Sequence, residues 1–492
     1  MHLHGSEFLV GFDLDLTLTD PRAGIRRVYE EVSRRTGVFI DVDLVVSRLG
    51  PPLEWEMSQW FPAERVAEAS DLYRSMYELA IPETTLLPGA DAAIDAVRAA
   101  GGRVLVVTAK HDASAEATLR HVGLEVDEIV GWRWAEAKGD ALLERGAGVY
   151  VGDHPGDVRA ARRAKAVAVG VRTGGVEPEG ADVVLDDLTG FPAWLRGYVL
   201  DARLATLGAR LRELESVIVA FSGGADSAFV LAAAVRTLGA DRVVAATAVS
   251  PSLPATELEA AREFAAGLGV RHLAPRTDEM SRDGYQANAG DRCYFCKAEL
   301  LDVLAPLAEQ KESAYVVTGT NADDALAGFR PGIRAAAERG AATPLLDAGL
   351  TKQQVREASR RWGLSTWDKP AAACLSSRIA YGVTISQHRL ARVERAEAAL
   401  RDALAYEEIP VRNLRVRDLG EFARIEVDGA CVDAVASSAR CVAAVQGAGF
   451  EQVEVDRKGF RSGSMNELLS GRLDGAQSGG ATLTREAAGE DE

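Results

Sequence analysis

The sequence predicts an α/β protein with two doubly wound parallel sheets, followed by a small α+β module and a terminal tail without fixed structure. Three observations lead there. Short apolar runs at Phe8–Asp13 and Ser216–Phe221 stop at polar or glycine-rich loops and lie about 200 residues apart, as buried parallel strands of separate sheets would. Further apolar runs alternate with helical patterns in each half, which is the signature of strand–helix–strand units. Beyond about residue 470 the chain turns to Gly, Ala and acidic residues and ends Gly-Glu-Asp-Glu, a composition that cannot bury a core.

In the first half the further strand candidates are Val104–Val107, Val149–Val151 and Val167–Val169; in the second they are Val243–Val249 and Ala314–Val317. A boundary is expected near Gly197–Ala202, because Leu204, Leu207, Leu211 and Leu214 then recur at helical spacing and lead into the second sheet. A third unit is expected from Tyr381, with a helix around Leu390–Leu404 and strands at Asn413–Val416 and Ala423–Val427. The division is therefore 6–198, 203–380 and 381–466, with a disordered tail at 470–492.

Composition bounds the function. Of 492 residues, 47% are hydrophobic and 26% charged, which fits a globular protein. The net charge of -17 divides as -11 over residues 1–200 and -3 over 201–470. A nucleic-acid binder usually shows a basic excess somewhere, so no nucleic-acid partner is expected. No apolar run approaches the roughly 20 residues a membrane helix needs, and the opening residues lack the pattern of a secretory signal. A cytoplasmic location is the expectation. All five cysteines follow residue 290; an odd number argues against a disulfide framework and towards metal, cluster or thiol chemistry.

Asp13 and Asp15 follow the first strand directly. At positions i and i+2 of a strand end two carboxylates point the same way, so one can attack phosphorus while the other handles the leaving-group proton. Thr108 ends a second strand, Lys138 precedes a helix, and Gly152-Asp153-His154-Pro155-Gly156-Asp157 ends a further strand. A hydroxyl and an ammonium can hold a transferring phosphoryl group, and the late aspartates can complete a magnesium site. His154 is read as a surface residue.

With these four elements in order, residues 6–198 resemble the haloacid dehalogenase superfamily of phosphatases. The resemblance implies Asp13 as nucleophile, Asp15 as general acid and base, and Thr108 and Lys138 as phosphate ligands. It also implies Mg²⁺ held by Asp13, Asp15, Asp153 and Asp157, and a helical cap over about residues 20–85. Leu16 departs from the family, where Gly is commoner.

Ser222-Gly223-Gly224-Ala225-Asp226-Ser227 lies between a strand and the helical run Ala228–Leu238. Glycines let backbone N–H groups approach phosphate oxygens, and a helix N-terminus favours anions. The lysine of the usual γ-phosphate loop is absent. The run resembles the PP-loop of ATP pyrophosphatases, which implies ATP bound by Ser222, Gly223, Gly224, Asp226 and Ser227 and cleaved between its α and β phosphates.

The second half also carries Cys293 and Cys296 as a C-x2-C pair, Cys374 in Ala373-Cys374-Leu375-Ser376-Ser377-Arg378, Gly319-Thr320-Asn321-Ala322-Asp323-Asp324, and the closing run Lys458–Asn466. With Ser250-Pro251-Ser252-Leu253-Pro254 and Arg330-Pro331-Gly332, residues 203–466 resemble the LarE family of ATP-dependent sulfurtransferases. This implies adenylation of a carboxylate of pyridinium-3,5-biscarboxylic acid mononucleotide on the way to the nickel-pincer nucleotide, and displacement of AMP by sulfur. The sulfur comes from sulfide or another donor carried on a [4Fe-4S] cluster of Cys293, Cys296 and Cys374, or from sacrifice of Cys374 itself. Three thiolates also suit zinc.

Asn413-Leu414-Arg415-Val416-Arg417 puts two guanidinium groups on one face of a strand, and with Arg378 these are the candidates for binding the anionic nucleotide. Glu397 and Glu426 are placed near the cysteine site by the same resemblance, which also implies a homo-oligomer. Gly328-Phe329 stands where Asp-Tyr is usual. Cys431 and Cys441 read as small buried hydrophobes. A tRNA thiolase with the same loop is the competing reading, and the phosphatase is expected to act on a phosphate-bearing intermediate or by-product of the shared pathway.

Overall fold

The computed structural model describes residues 8–309, 314–326, 330–370 and 374–461. The 470–492 tail, Ser462–Asn466 of the closing run, Gly328-Phe329 and Ala371–Ala373 lie outside them. By contact clustering the chain forms two compact units, Met1–Ala202 and Arg203–Glu492. The division falls within the helix Phe191–Glu213.

In the first unit six strands are parallel: β1 Leu9–Phe12, β2 Arg103–Val107, β3 Glu128–Val130, β4 Val149–Gly152, β5 Val167–Val171 and β6 Val183–Leu185. Their order is β3-β2-β1-β4-β5-β6. Chain direction through the sheet reverses at β1, so the ends of β1, β2 and β4 flank the switch point where α/β sheets place their ligands. Val10, Phe12, Val104, Val106, Val149 and Val151 fill the core on one side of the sheet.

A two-residue antiparallel ribbon, Thr19–Asp20 against Thr85–Leu86, bounds an inserted helical cap. The cap has its own core of Val28, Tyr29, Val32, Met57, Phe61 and Tyr73. Its first helix, Arg22–Thr36, buries Ile25, Val28, Tyr29 and Val32, a spacing of three and four, and ends on Gly37 in the left-handed conformation.

The second unit has a parallel four-stranded sheet of β7 Val217–Ala220, β8 Val243–Ala246, β9 Arg271–Leu273 and β10 Tyr315–Val317, in the order β9-β8-β7-β10. A smaller sheet follows, with β11 Leu414–Asp418 antiparallel to β12 Phe422–Val427, and β12 parallel to β13 Gln452–Val455. The helix Gln387–Tyr406 packs its Leu390, Val393, Ala396 and Leu400 against this sheet. Tyr285, Leu375 and Ile379 join the same core, as do Cys431 and Cys441. Thus the segment bearing Cys374 is seated on the small sheet through its own apolar residues.

Candidate active sites

The first site assembles at the ends of β1, β2 and β4. Asp13, Thr108 and Asp153 are the next residues after those strands, and all three are buried. Asp13, Asp153 and Asp157 each offer a carboxylate oxygen within 4.8 Å of the others. Mg²⁺ takes a few carboxylate oxygens from a protein while keeping several waters, so the residues present fit that ion. Asp15 stands outside this group; its Oδ1 receives the Lys110 ammonium at 2.8 Å. The structure thus separates Asp15 from the carboxylates that the sequence reading grouped with it.

Lys138 is buried and lies 3.0 Å from Asp13 and 2.7 Å from Asp157. Asp157 also accepts the His154 backbone N–H at 3.1 Å, while Thr17 donates to Asp153 at 3.2 Å. Burial pushes the Asp13 carboxyl up to about 7 against the pull of Lys138. Asp153 is pushed up too, by burial and then by the Asp13 charge. One lysine does not neutralise three crowded carboxylates, and a divalent cation would.

Two local findings differ from expectation. His154 is not a surface residue: half-buried, it caps the helix Pro155–Ala164, its Nδ1 accepting the Gly156 N–H at 2.9 Å. The residue lies within the capping pair it forms with Asp157, which periodicity does not reveal. Leu16 has φ 60°, a left-handed conformation that explains why Gly is the commoner choice there. Its N–H donates to the Thr19 carbonyl at 2.7 Å, and its side chain is buried.

A cavity of about 230 Å³ runs from Asp13 to the cap and includes Lys110. Sequence reasoning missed Lys110; the only signal was a basic residue two positions beyond Thr108.

The second site forms at the end of β7. Gly224 caps the helix Ala225–Leu238 and Gly223 has φ 71°, which only a residue without a side chain adopts cheaply. Ser227 Oγ ties the loop together, accepting the Ser222 N–H at 3.3 Å and donating to the Gly224 carbonyl at 3.0 Å. Gly319, just past β10, comes so near that a Cβ would stand 2.8 Å from the Ser227 nitrogen. Asp226 Oδ1 is buried without a hydrogen-bond partner among the described residues, and burial raises the carboxyl. Lys369 donates to the Gly223 carbonyl at 3.0 Å and to Glu257 at 2.7 Å.

A second cavity, of about 450 Å³, is lined by Ser222, Gly224, Asp226 and Ser227 and also by Cys293, Cys296 and Cys374. Three side chains bring the distant cysteines together. Arg292 donates to the Ser376 carbonyl at 2.8 Å and to Asn288 Oδ1 at 2.6 Å. Asn288, fully buried, donates to the Ala380 and Val383 carbonyls. Tyr285 OH meets Ser376 Oγ at 2.5 Å. The helix Arg292–Glu309 is thereby fixed to the segment carrying Cys374. Burial pushes the Cys296 thiol up, with the neighbouring Cys374 adding to it.

In the same cavity Glu279, buried, accepts from Ser250, from Ser252 at 2.8 Å and from Thr277 at 3.0 Å. Sequence reasoning passed over Glu279, since a lone acid in a loop carries no pattern.

The arginines lie beside the cysteine segment, outside the lining of that cavity. Arg378 pairs with Glu397 at 2.9 Å and donates to the Cys374 carbonyl at 3.0 Å. Arg417 pairs with Glu426 at 2.7 Å and donates to the Ser377 carbonyl at 3.0 Å. Arg415, on the same face of β11 as Arg417, is held down to about 10 by burial and by Arg378. Glu397 and Glu426 are thus partners of the arginines, and through Arg378 Glu397 stands one residue from the cysteine.

Residues 10–162 match the haloacid dehalogenase-like hydrolase family and residues 202–298 the NAD synthase family. An uncharacterized protein of Synechocystis sp. is 42% identical over 275 residues, 55% of this chain and 100% of its own length. Pyridinium-3,5-bisthiocarboxylic acid mononucleotide synthase of Lactiplantibacillus plantarum is 36% identical over 272 residues, 55% of this chain and 96% of its own. Among solved structures, a haloacid dehalogenase-like hydrolase of Streptococcus pneumoniae matches 39% of this chain and 98% of its own, at 21% identity and a TM-score of 0.35. No helix among the described residues is long and apolar enough to cross a membrane.

Proposed function

The chain belongs, through its second half, to the family of pyridinium-3,5-bisthiocarboxylic acid mononucleotide synthase, and from that premise we propose that it inserts sulfur into an adenylated carboxylate of a pyridinium mononucleotide. The carrying observation is the single cavity lined both by the phosphate loop and by Cys293, Cys296 and Cys374. An acyl adenylate formed at the loop would lie in the cavity that the thiols also line, so activation and attack would need no transfer between sites.

In this reading the Ser222–Ser227 loop binds the phosphates of ATP, and a substrate carboxylate oxygen attacks the α-phosphorus with loss of pyrophosphate. Sulfur then displaces AMP at the carbonyl carbon and leaves a thiocarboxylate. Arg378, Arg415 and Arg417, set beside the cysteine segment, are the guanidinium groups suited to the nucleotide phosphate.

Cys293, Cys296 and Cys374 would hold a [4Fe-4S] cluster by three irons, and such a cluster supplies an open iron able to carry an exchangeable sulfide. The residues fit: three thiol side chains line one cavity, and thiolates are the ligands such a cluster takes from a protein.

The first half is read as a phosphatase. Asp13 attacks phosphorus, Asp15 protonates the departing oxygen, and water then releases phosphate from the aspartyl phosphate with Asp15 accepting a proton. Asp13, Asp153 and Asp157 would hold Mg²⁺, which would supply neutralising positive charge for phosphoryl transfer.

Anaerobic purification followed by iron, sulfide and zinc analysis tests the sulfur source, with Cys293→Ala alongside. About four irons per chain, lost in the variant, is the expected result. Zinc in their place, or loss of one H2S from Cys374 after turnover, would overturn the cluster.

A further inference from the structure

Resting on the reading that the first half is a phosphatase and the second releases AMP, we propose that the first site takes a nucleoside monophosphate with an uncharged base, and AMP above others. The shape of the cavity comes first. It joins Asp13 to an aromatic chamber, with Tyr29, Tyr73 and Tyr77 on the cap side and Trp132 and Trp134 on a loop after β3. A glycolate-sized leaving group leaves such walls unfilled, whereas a flat ring stacks on them.

The loop bearing the indoles is strained. Trp132 has φ 55° and Ala135 φ 43°, values that side-chain-bearing residues seldom adopt. The strain is held by two backbone bonds to the segment following β2: Trp132 N–H to the Lys110 carbonyl at 3.0 Å and Arg133 N–H to the Thr108 carbonyl at 2.9 Å. Strain kept by over-determination next to a reacting centre marks a segment shaped for a ligand.

Charge narrows the class further. Lys138 faces Asp13 and Asp157, Lys110 faces Asp15, Arg48 is bound by Glu56 at 2.7 Å, and Arg74 is bound by Glu54. The remaining basic residue of the lining other than histidine, Arg133, is exposed and donates to the Trp132 carbonyl. Lys138, beside Asp13, suits the phosphoryl group. Among the described residues of the lining, no buried cation then stands ready for a second anionic group, since Arg48–Glu56 and Arg74–Glu54 are each neutral pairs. A phosphoglycolate carboxylate, or the two carboxylates of a pyridinium dicarboxylate mononucleotide, would be buried unpaired. A neutral nucleobase meets no such obstacle.

The second half yields one AMP per carboxylate converted, so the first would consume the product of the second. The atoms balance as AMP plus water giving adenosine plus phosphate. The P–O5′ bond breaks as Asp13 bonds to phosphorus and O5′ takes the Asp15 proton; water then breaks the Asp13–phosphorus bond and restores that proton.

The test measures phosphate release by the full chain with Mg²⁺ from AMP, 2-phosphoglycolate and p-nitrophenyl phosphate. The expected result is kcat/KM for AMP at least tenfold above that for phosphoglycolate. Trp134→Ala should lower kcat/KM for AMP about 5- to 100-fold, mainly through KM, with Trp134→Phe recovering most of it. A preference for phosphoglycolate, or equal losses on both substrates in Trp134→Ala with no recovery in Trp134→Phe, would overturn the proposal while leaving a phosphatase. No release from any of the three, with Asp13→Asn identical to the parent, would instead remove the phosphatase reading. Pyrophosphate release by the second half is assayed separately, so its failure leaves the substrate class standing.

Discussion

Lys369 holds the carbonyl of Gly223 at 3.0 Å, joining the segment just before the cysteine motif to the middle of the phosphate loop. The same ammonium binds Glu257 at 2.7 Å. Removing it leaves a carboxylate facing the loop where phosphates are to bind, and a charged hydrogen bond is worth about 1.5–3 kcal/mol. Lys369→Met should therefore weaken ATP binding about tenfold or more, read by calorimetric titration with ATP. Unchanged affinity would show that the loop keeps its shape without this anchor.

Lys110 does for Asp15 what Lys369 does for the loop. Its ammonium, in a side chain that is 6% exposed, pairs with Asp15 and lies 5.0 Å from the Tyr77 ring of the cap. In Lys110→Met, Asp15 loses its fixed position, and phosphatase kcat should drop at least about tenfold with a smaller change in KM. An effect confined to KM would place Lys110 in substrate binding instead.

The carboxylate trio gives a pH prediction with a definite sign. Burial lifts Asp13 from 3.8 to about 7, so in metal-free protein its contribution to stability is full below about pH 4 and lost as pH rises to about 7. Mg²⁺ binds the ionised form. The rise in unfolding temperature on adding Mg²⁺ should therefore be larger at about pH 8 than at about pH 5, as scanning calorimetry would show. Equal shifts at both would mean that Asp13 does not hold the metal.

At Leu16 two opposing effects can be weighed. A left-handed residue with a side chain costs about 1–2 kcal/mol, while emptying a buried leucine site costs about 3–5 kcal/mol. Leu16→Gly should thus destabilise the first unit by about 1–4 kcal/mol despite relieving the backbone, measured by denaturant unfolding. Net stabilisation would show that the side chain contributes little.

Glu279 accepts three hydroxyl hydrogen bonds in the second cavity, and an amide cannot accept all of them at both positions. Glu279→Gln should cost about 1–3 kcal/mol of stability and loosen Ser252, whose carbonyl receives the Leu375 N–H at 2.9 Å. A variant as stable as the parent would mean that water replaces the lost bonds.

The sequence by itself determined the two parallel sheets, because runs such as Leu9–Phe12 and Val217–Ala220 are buried on both faces and so are apolar without interruption. It did not reveal β3, β6 and β9, three-residue edge strands that no recognisable loop motif follows, unlike the equally short β10. The places of Asp13, Thr108 and Asp153 were legible because each directly follows an apolar run that forms a buried strand. What only the tertiary structure decided is which side chains meet. Arg292, Asn288 and Tyr285 gather cysteines about 80 residues apart in sequence, Asp15 pairs with Lys110 and stands outside the carboxylate trio, and the strained Trp132–Ala135 loop sets two indoles in the lining of the cavity that reaches Asp13. Such partners are chosen by chain crossings in space, and hydrogen bonds between distant segments leave no spacing in the sequence from which to read them.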